Sequence, residues 1–305
     1  MGVGHGHGHG AAEATAAAGH AGARHRWRLG VSFGLVATFF VVELVAALVS
    51  GSLALLSDAG HMAADVVALG AALAATRIAT RPDRTGRRTF GSYRAEVFAS
   101  GLTVLLMLGA AAYVGLEAVA RIGQDVEVAT GPMLVVGALG LAVNVVALVL
   151  LRGGSKESLN VKGAYLEVVA DTVGSVGVIA AALLVGATGS PWWDTGVALA
   201  IAAFVAVRAV FLGREVLAVL GQHAPAGIDP ADVEQRLSGI AGVEEVHDLH
   251  LWTLTSGMNV ATAHLVADEN GDAVLDAARE LLREIGVEHA TLQVESCQRD
   301  CTESW

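Results

Sequence analysis

The sequence predicts an α-helical membrane protein in which six transmembrane helices are followed by a small α+β domain of ferredoxin-like fold. Two observations predict the membrane class. Hydrophobic residues make up 54% of the 305 residues and charged residues only 16%, whereas a soluble domain carries about 25% charged residues. Aromatic residues contribute 5%, so the apolar mass is mainly aliphatic. A third observation, an acidic C-terminal stretch without long apolar runs, predicts the separate α+β domain.

Six stretches are long and apolar enough to cross a bilayer, which takes about 20 helical residues. They lie near Leu29–Ser50, Leu53–Ala79, Arg94–Arg121, Pro132–Leu151, Leu159–Gly186 and Trp192–Leu212. The first stretch is too long to be the apolar part of a signal peptide, so we interpret it as a span. We therefore assign residues 29–221 to a transmembrane domain that lies in the lipid bilayer.

The connections between the spans predict which side of the membrane each end occupies. Basic residues precede the first span, follow the sixth, and lie between spans two and three and spans four and five. The other connections, near 51–52, 124–131 and 187–191, contain no Lys or Arg. Because cytoplasmic loops are rich in Lys and Arg, both termini are predicted to be cytoplasmic. The Ala- and Arg-rich composition suggests a bacterial source, and hence the inner (cell) membrane.

The first 28 residues form a tail of Gly, Ala and His in which His5, His7 and His9 alternate with glycine. Such a segment lacks the apolar side chains that a core needs, so it is predicted to be disordered. Three interpretations stay open. The tail is a solvated segment, a weak trap for cations through its neutral imidazoles, or a synthetic tag.

Residues 222–305 predict a cytoplasmic α+β module. They carry sixteen acidic residues and four arginines, which argues against binding to nucleic acid and is compatible with cations. The pattern predicts a helix from Asp229 or Pro230 to Ile240, strands at Val243–Thr253 and Asn259–Ala267, a helix from Gly271 to near Gly286, and a strand at Ala290–Glu295. This order suggests a ferredoxin-like sheet, whose exposed face or edge would suit dimerisation.

Four ionisable residues inside predicted spans point to a cation site. His61 and Asp65 lie four residues apart in span two, and Glu167 and Asp171 have the same spacing in span five. Each pair therefore lies on one face of its helix. One imidazole and three carboxylates supply the four donors that a zinc site requires. The simpler alternative, a hydrogen bond between helices, explains His61 alone more easily than it explains two such pairs.

Three further polar residues lie within or near the spans. Glu43 and Asn144 serve either as hydrogen-bonding partners between helices or as the lining of a wet cavity that leads to the site. Asp58 lies nearer the outer end of span two. It could cap the helix, form a hydrogen bond or attract cations, so all three residues count as accessory.

Four sequence runs resemble the cation diffusion facilitator family, and in particular its bacterial zinc, cobalt and cadmium branch. The runs are SGSLALLSDAGHM at residues 50–62, YRAE at 93–96, GAYLEVVADT at 163–172 and HDLHLWTLTSG at 247–257. They occur in the family's order, and the resemblance extends from about Leu29 to Glu295.

The resemblance implies a homodimeric antiporter that exports a divalent metal, most consistently Zn²⁺ with Co²⁺ and Cd²⁺ as further substrates, in exchange for protons. It implies that His61, Asp65, Glu167 and Asp171 form the transport site. One departure matters, because zinc-selective relatives commonly have His at the position of Glu167. A carboxylate favours harder ions such as Mn²⁺ or Fe²⁺, whereas the retained His61 favours zinc.

The cytoplasmic module carries a second set of candidate ligands. A tight hairpin around Ser256-Gly257 sets His247 nearly opposite His264. The resemblance implies that His247, His264 and Glu295 bind metal here, and Cys297 and Cys301 could add thiolates. His250 follows His247 by an odd number of residues, so it is expected on the other sheet face. Two alternatives stay open for this module. It binds a regulatory Zn²⁺ that strengthens the pairing of two modules, or it serves only to form the dimer.

Enzyme activity is not expected. The sequence has no His-Glu-x-x-His helix, no visible Ser-His-Asp or nucleophilic Cys arrangement and no Gly-x-x-x-x-Gly-Lys loop for ATP. Four protein ligands would also leave no position for a catalytic water. A membrane-bound metal sensor or scaffold is the alternative to a transporter, but a sensor would not need a four-ligand set inside the membrane.

Overall fold

The computed structural model describes residues 33–34, 36–79, 87–122, 124, 126–152, 159–255, 257–267 and 271–295, without the side chains of residues 68–69, 71–79, 150–152 and 159–167. The predicted N-terminal tail, Cys297 and Cys301 lie outside this part of the chain. The chain divides into two compact units. The first comprises Met1–Arg81 and Ala99–Leu212, and the second comprises Pro82–Phe98 and Gly213–Trp305.

Long helices account for nearly all of the described part of the first unit. They are α1 (Val36–Ser50), α2 (Leu53–Ala79), α3 (Arg94–Ala120), α4 (Thr130–Arg152), α5 (Leu159–Thr188) and α6 (Trp192–Leu220). The first residues of α3 and the last residues of α6 belong to the second unit. Within α3 to α6, four stretches are long and apolar enough to cross a membrane, and α1 is a shorter apolar helix. The prediction of membrane-type helices is thus confirmed in its general form.

The outer surface of these helices is apolar. Large aliphatic and aromatic side chains are exposed along α3, α4, α5 and α6, as they are for Leu105, Leu116, Val149, Val173, Leu183, Phe204, Phe211 and Leu217. Soluble monomers rarely expose apolar patches of more than a few hundred Å². A surface of this kind therefore matches hydrocarbon rather than water.

Small residues let the helices of the first unit approach one another closely. Its main core combines Leu53 and Leu55 of α2 with Met133 of α4 and many alanines. At Gly140 of α4, an added Cβ atom would lie 2.9 Å from a ring carbon of Phe39 in α1. Glycine is therefore needed at that crossing, as is common between membrane helices.

The second unit contains α7 (Pro230–Ser238), β1 (Val243–Thr255), β2 (Met258–Ala267), α8 (Gly271–Glu284) and β3 (His289–Glu295). This order confirms the predicted helix–strand–strand–helix–strand pattern. The strands form one sheet in the order β1-β2-β3, with β1 antiparallel and β3 parallel to β2. Asp229 caps α7 by accepting a hydrogen bond from the N–H group of Ala231 at 3.0 Å.

One face of the sheet is covered by the two helices. Leu237 of α7 and Leu282 of α8 pack with Val246, Leu251 and Leu265 of the sheet. Because side chains alternate along a strand, the residues next to these core positions point to the opposite face. The candidate metal ligands of the module are among those neighbours.

The expected position of His250 on the other face from His247 is wrong, and a β-bulge is the reason. In the ladder, His247 pairs with His264 and His250 pairs with Thr262, so three steps along β1 match two steps along β2. The extra residue in β1 shifts by one position the alternation of side chains between the two faces of the sheet. Asp248 lies within the bulge with a φ of 52°, and His250 returns to the face that carries His247.

Candidate metal centres

Helices α2 and α5 bring one imidazole and two carboxylates together inside the first unit. His61 Nε2 lies 3.2 Å from Asp171 Oδ1 and 3.8 Å from Asp65 Oδ2. One ligand atom from each residue can be chosen so that all three lie within 4.8 Å of one another. His61 is 4% exposed, and the two aspartates are 22% and 25% exposed. We call these three residues the intramembrane cluster.

The backbone of α2 and α5 explains why the cluster forms. His61 and Asp65 lie one helical turn apart, so both face the same neighbour. Ser52 caps α2, since its Oγ accepts a hydrogen bond from the N–H group of Leu55 at 3.1 Å. The side chain of Glu167, the fourth predicted ligand, lies outside the described residues, and its backbone lies one turn before Asp171 in α5.

The distances within the cluster suit a small divalent cation. Tetrahedral nitrogen and oxygen ligands about 2.1 Å from zinc lie about 3.4 Å from one another. The 3.2 Å and 3.8 Å separations from His61 Nε2 lie on either side of that value. A protonated imidazole between two carboxylates would also be stable as an ion pair. The arrangement can thus hold either a metal ion or a proton.

The three accessory residues take separate places. Glu43 and Asp58 are both buried and interact with each other through a side-chain hydrogen bond. Asn144 Nδ2 donates to Ser175 Oγ at 3.3 Å, which is a hydrogen bond between α4 and α5. Asn144 therefore forms a hydrogen bond between helices, which is one of the two roles predicted for it.

Arg208 lies near the cluster and is not among the site residues predicted from the sequence. It lies on α6 close enough to His61 to act on it electrostatically. Its helix neighbour Ala209 packs with Ala64 of α2, the residue before Asp65. An arginine inside a predicted span is a costly residue that calls for a functional reason, and that signal was available in the sequence.

The second unit contains another cluster, on the sheet face that the helices leave open. His264 Nδ1 lies 3.1 Å from Glu295 Oε1, and His247 Nε2 lies 4.0 Å from Glu295 Oε2. The two imidazole rings have centroids 5.2 Å apart, and one ligand atom from each of the three residues lies within 4.8 Å of the others. We call these residues the cytoplasmic-module cluster.

The β-bulge places two more polar groups beside this cluster. Asp248 Oδ1 lies 2.9 Å from His250 Nε2, and Asp248 Oδ2 lies 3.9 Å from His264 Nε2. Glu295 is 8% exposed at its side chain, and its Oε1 accepts a hydrogen bond from Gln293 Nε2 at 2.7 Å. Two imidazoles and a buried carboxylate are the donor set that zinc prefers.

Two features define the class of protein. The first unit has membrane-type helices with an imidazole–carboxylate cluster, and the second unit has a sheet with another such cluster. The chain is a membrane protein suited to handling divalent cations. The sequence similarities agree with that class. Residues 29–220 match the cation efflux transmembrane domain family, and residues 225–297 match the cytoplasmic domain of cation efflux proteins. The chain belongs to the cation efflux family, which is the family that the sequence motifs resemble.

Several curated relatives cover most of the chain. The cation efflux system protein CzcD of Alcaligenes sp. (strain CT14) is 41% identical, and the alignment covers 90% of this chain and 88% of the relative. The cadmium, cobalt and zinc/H(+)-K(+) antiporter of Bacillus velezensis is 34% identical, with 91% and 90% covered. The zinc transporter ZitB of Pectobacterium atrosepticum is 36% identical, with 90% and 87% covered.

Proposed function

We propose that this protein exports divalent metal cations, with Zn²⁺ as the main substrate, from the cytoplasm in exchange for protons. The proposed transport site is the intramembrane cluster of His61, Asp65 and Asp171, completed by Glu167. The observation that carries the proposal is the position of His61 between two carboxylates from different helices. Burying such groups in a membrane is costly unless a metal or a proton balances their charge.

The names of the relatives support this substrate class. One relative is named a zinc transporter, and another is named an antiporter of cadmium, cobalt and zinc against H⁺ and K⁺. Imidazole and carboxylate ligands suit Zn²⁺, Co²⁺ and Cd²⁺. Glu167 adds hard-ligand character, so Mn²⁺ and Fe²⁺ are the substrates to compare with zinc.

The proposed architecture follows the family. Helices α1 to α6 would form six spans over residues 29–221, with both termini in the cytoplasm of a bacterial inner membrane. Residues 222–305 would form a ferredoxin-like module that pairs with a second copy in a homodimer. Dimerisation is supported by the match to the cytoplasmic domain of cation efflux proteins.

Competition between metal and proton is the proposed exchange step. A metal can bind only when the imidazole is neutral and the carboxylates are ionised, so each metal ion that binds displaces protons. In the inward-facing state, metal from the cytoplasm would displace protons from His61 and its carboxylate neighbours. In the outward-facing state, protons from outside would displace the metal and reset the site.

The cytoplasmic-module cluster is proposed as a regulatory metal site. His247, His264 and Glu295 offer two nitrogen donors and one oxygen donor, and Cys297 or Cys301 would add sulfur. Residues 222–305 carry a large excess of acidic groups, so two modules repel each other. A bound Zn²⁺ would reduce that repulsion and favour the paired form.

Reconstituted protein tests the transport proposal directly. Proteoliposomes with an internal metal-sensitive dye are exposed to Zn²⁺, Co²⁺, Cd²⁺, Mn²⁺ or Fe²⁺ under an imposed gradient of about one pH unit. Asp171→Asn removes a ligand charge, so Zn²⁺ flux should fall at least about tenfold, whereas Asp276→Asn on the exposed face of α8 should leave it unchanged. Metal binding without any flux in the unsubstituted protein would favour a membrane-bound sensor.

A further inference from the structure

A second pair of acidic residues lies in the first unit beside the intramembrane cluster. Glu43 of α1 is 2% exposed and Asp58 of α2 is 7% exposed. Their carboxyl groups form a side-chain hydrogen bond with each other. Two ionised carboxylates can only accept hydrogen bonds, so this contact requires a proton on one of them.

Both residues are enclosed by neighbouring helices. Asp58 Oδ1 lies 3.2 Å from where a Cβ atom on Gly174 of α5 would be, so the absence of a side chain at Gly174 makes room for the carboxyl group. Glu43 Oε2 is buried and has no hydrogen-bond partner among the described residues. A fully buried carboxyl oxygen without a partner is destabilising, and the cost is larger when the carboxyl group is ionised than when it carries a proton.

We propose that Glu43 and Asp58 form a dedicated proton-binding pair that couples proton entry to metal export. This inference rests on the proposed function and adds a carrier outside the metal ligands. Asp58 precedes His61 by three residues, or about 4.5 Å along α2. The pair therefore lies toward the N-terminal end of α2 relative to the metal ligands, near enough to respond to their charge.

The charged groups around the pair explain how the coupling works. Asp58 interacts electrostatically with His61 of its own helix and with Asp171 of α5, and Glu43 interacts with Asp58 and Asp171. An empty site leaves these carboxylates uncompensated, which favours a proton on the pair. A divalent cation at His61 and Asp171 brings two positive charges into the same low-dielectric region and repels that proton.

The proton balance of one cycle follows from this opposition. Metal binding from the cytoplasm expels one proton from the Glu43–Asp58 pair to the cytoplasm. After the metal leaves on the other side, the pair takes up one proton from that side. One proton thus enters through the pair for each metal ion that leaves, in addition to any proton carried by the metal ligands themselves.

Calorimetry and transport together test the pair. Zn²⁺ binding to the detergent-solubilised full chain is measured by calorimetry in two buffers of different ionisation enthalpy, which gives the number of protons released per metal. Glu43→Gln keeps the side-chain size and removes the titratable group. It should release about one proton fewer, with a Zn²⁺ Kd within about threefold of the unsubstituted value, because Glu43 is not a ligand.

Two control variants show whether a change in proton release comes from loss of the Glu43 carboxyl group. Glu43→Asp retains a carboxyl group and should restore part of the proton release, and Glu215→Gln on the exposed side of α6 should not change it. Proteoliposomes with a pH dye inside should show fewer protons moved per metal for Glu43→Gln. Unchanged proton release in both Glu43→Gln and Asp58→Asn would overturn the proposal.

The two proposals fail in different ways. If the unsubstituted protein moves no metal, the export proposal fails, and proton release on binding still tests the pair. If the unsubstituted protein exchanges metal for protons and Glu43→Gln keeps the full proton-to-metal ratio, export stands and the pair is not a carrier.

Discussion

Asp194 Oδ2 accepts a hydrogen bond from the backbone N–H group of Leu53 at 2.7 Å, which joins the start of α6 to the start of α2. The carboxylate also accepts hydrogen bonds from the Ala54 N–H group at 3.2 Å and from Ser52 Oγ at 2.6 Å. Asp194 is fully buried. Its charge lies at the positive end of the α2 dipole, where an anion is stabilised.

An arginine that directly follows the last residue of α3 completes this arrangement. Arg121 Nη1 lies 4.0 Å from Asp194 Oδ2 and donates a hydrogen bond to the Gly51 carbonyl oxygen at 2.8 Å. The helix that carries Asp58, His61 and Asp65 is thus fixed at its first residues by Arg121, just after α3, and by Asp194 of α6. Asp194 acts as a positioning residue for the intramembrane cluster, which begins two turns further along α2.

Substitution of Asp194 should destabilise the first unit. Asp194→Ala leaves the Leu53 and Ala54 N–H groups buried without an acceptor, and hydrogen bonds to charged groups are worth about 1.5–3 kcal/mol each. We expect a loss of about 3 kcal/mol or more, measured as a lower midpoint of thermal unfolding in detergent. Asp276→Asn, at an exposed position, is the matched control, and an equal change in both variants would argue against the cap.

The position of Glu167 predicts a change of metal preference. Glu167→His replaces a hard oxygen donor with an imidazole and gives the site two nitrogen donors. Flux of Zn²⁺ and Cd²⁺ relative to Mn²⁺ should rise about tenfold in proteoliposomes, because imidazole favours these ions. Glu167→Gln serves as the control for loss of charge alone. If the ranking of metals is the same in all three proteins, Glu167 is not a ligand that sets selectivity.

Much of the fold could be predicted from the chain itself. Long apolar runs predicted the positions of α2 to α6 in the sequence, because a helix that spans a bilayer needs a continuous stretch of apolar residues. The four-residue spacing of His61 and Asp65 predicted a shared face, and the turn at Gly257 predicted that His247 would face His264. These features depend on local periodicity, and local periodicity can be read from one sequence.

The remaining features depend on contacts between residues that are far apart in the chain. Asp194 meets Leu53 across 141 positions, and Arg208 approaches His61 only because α6 packs on α2. The bulge at Asp248 adds one residue to β1 with no signal in the hydrophobic pattern, so the face of His250 was predicted wrongly. Distant partners and single-residue register shifts are set by packing, which a single sequence does not report.

The cytoplasmic-module cluster predicts metal-dependent stability of the second unit. A ligand that binds only the folded state at 100 times its Kd adds about 2.7 kcal/mol of stability. Zn²⁺ should therefore raise the unfolding midpoint of the full chain, and His264→Ala should remove most of that increase, because it deletes the donor 3.1 Å from Glu295. His223→Ala, at an exposed position, is the control. An unchanged Zn²⁺ effect in His264→Ala would count against the cluster.

The bulge at Asp248 separates a backbone role from a ligand role. Asp248 has a φ of 52°, a left-handed conformation that glycine adopts without strain and that alanine resists. Asp248→Gly should keep the bulge and the His247–His264 pairing while removing the carboxylate that lies 3.9 Å from His264 Nε2.

Asp248→Ala should lose about 1 kcal/mol more stability than Asp248→Gly, measured by thermal unfolding without metal. If the carboxylate helps to orient the histidines or contributes a donor, the two variants should show the same loss of Zn²⁺ affinity by calorimetry, because both lack it. A Zn²⁺ Kd that follows stability instead, with Asp248→Gly close to the unsubstituted protein, would assign Asp248 a purely conformational role.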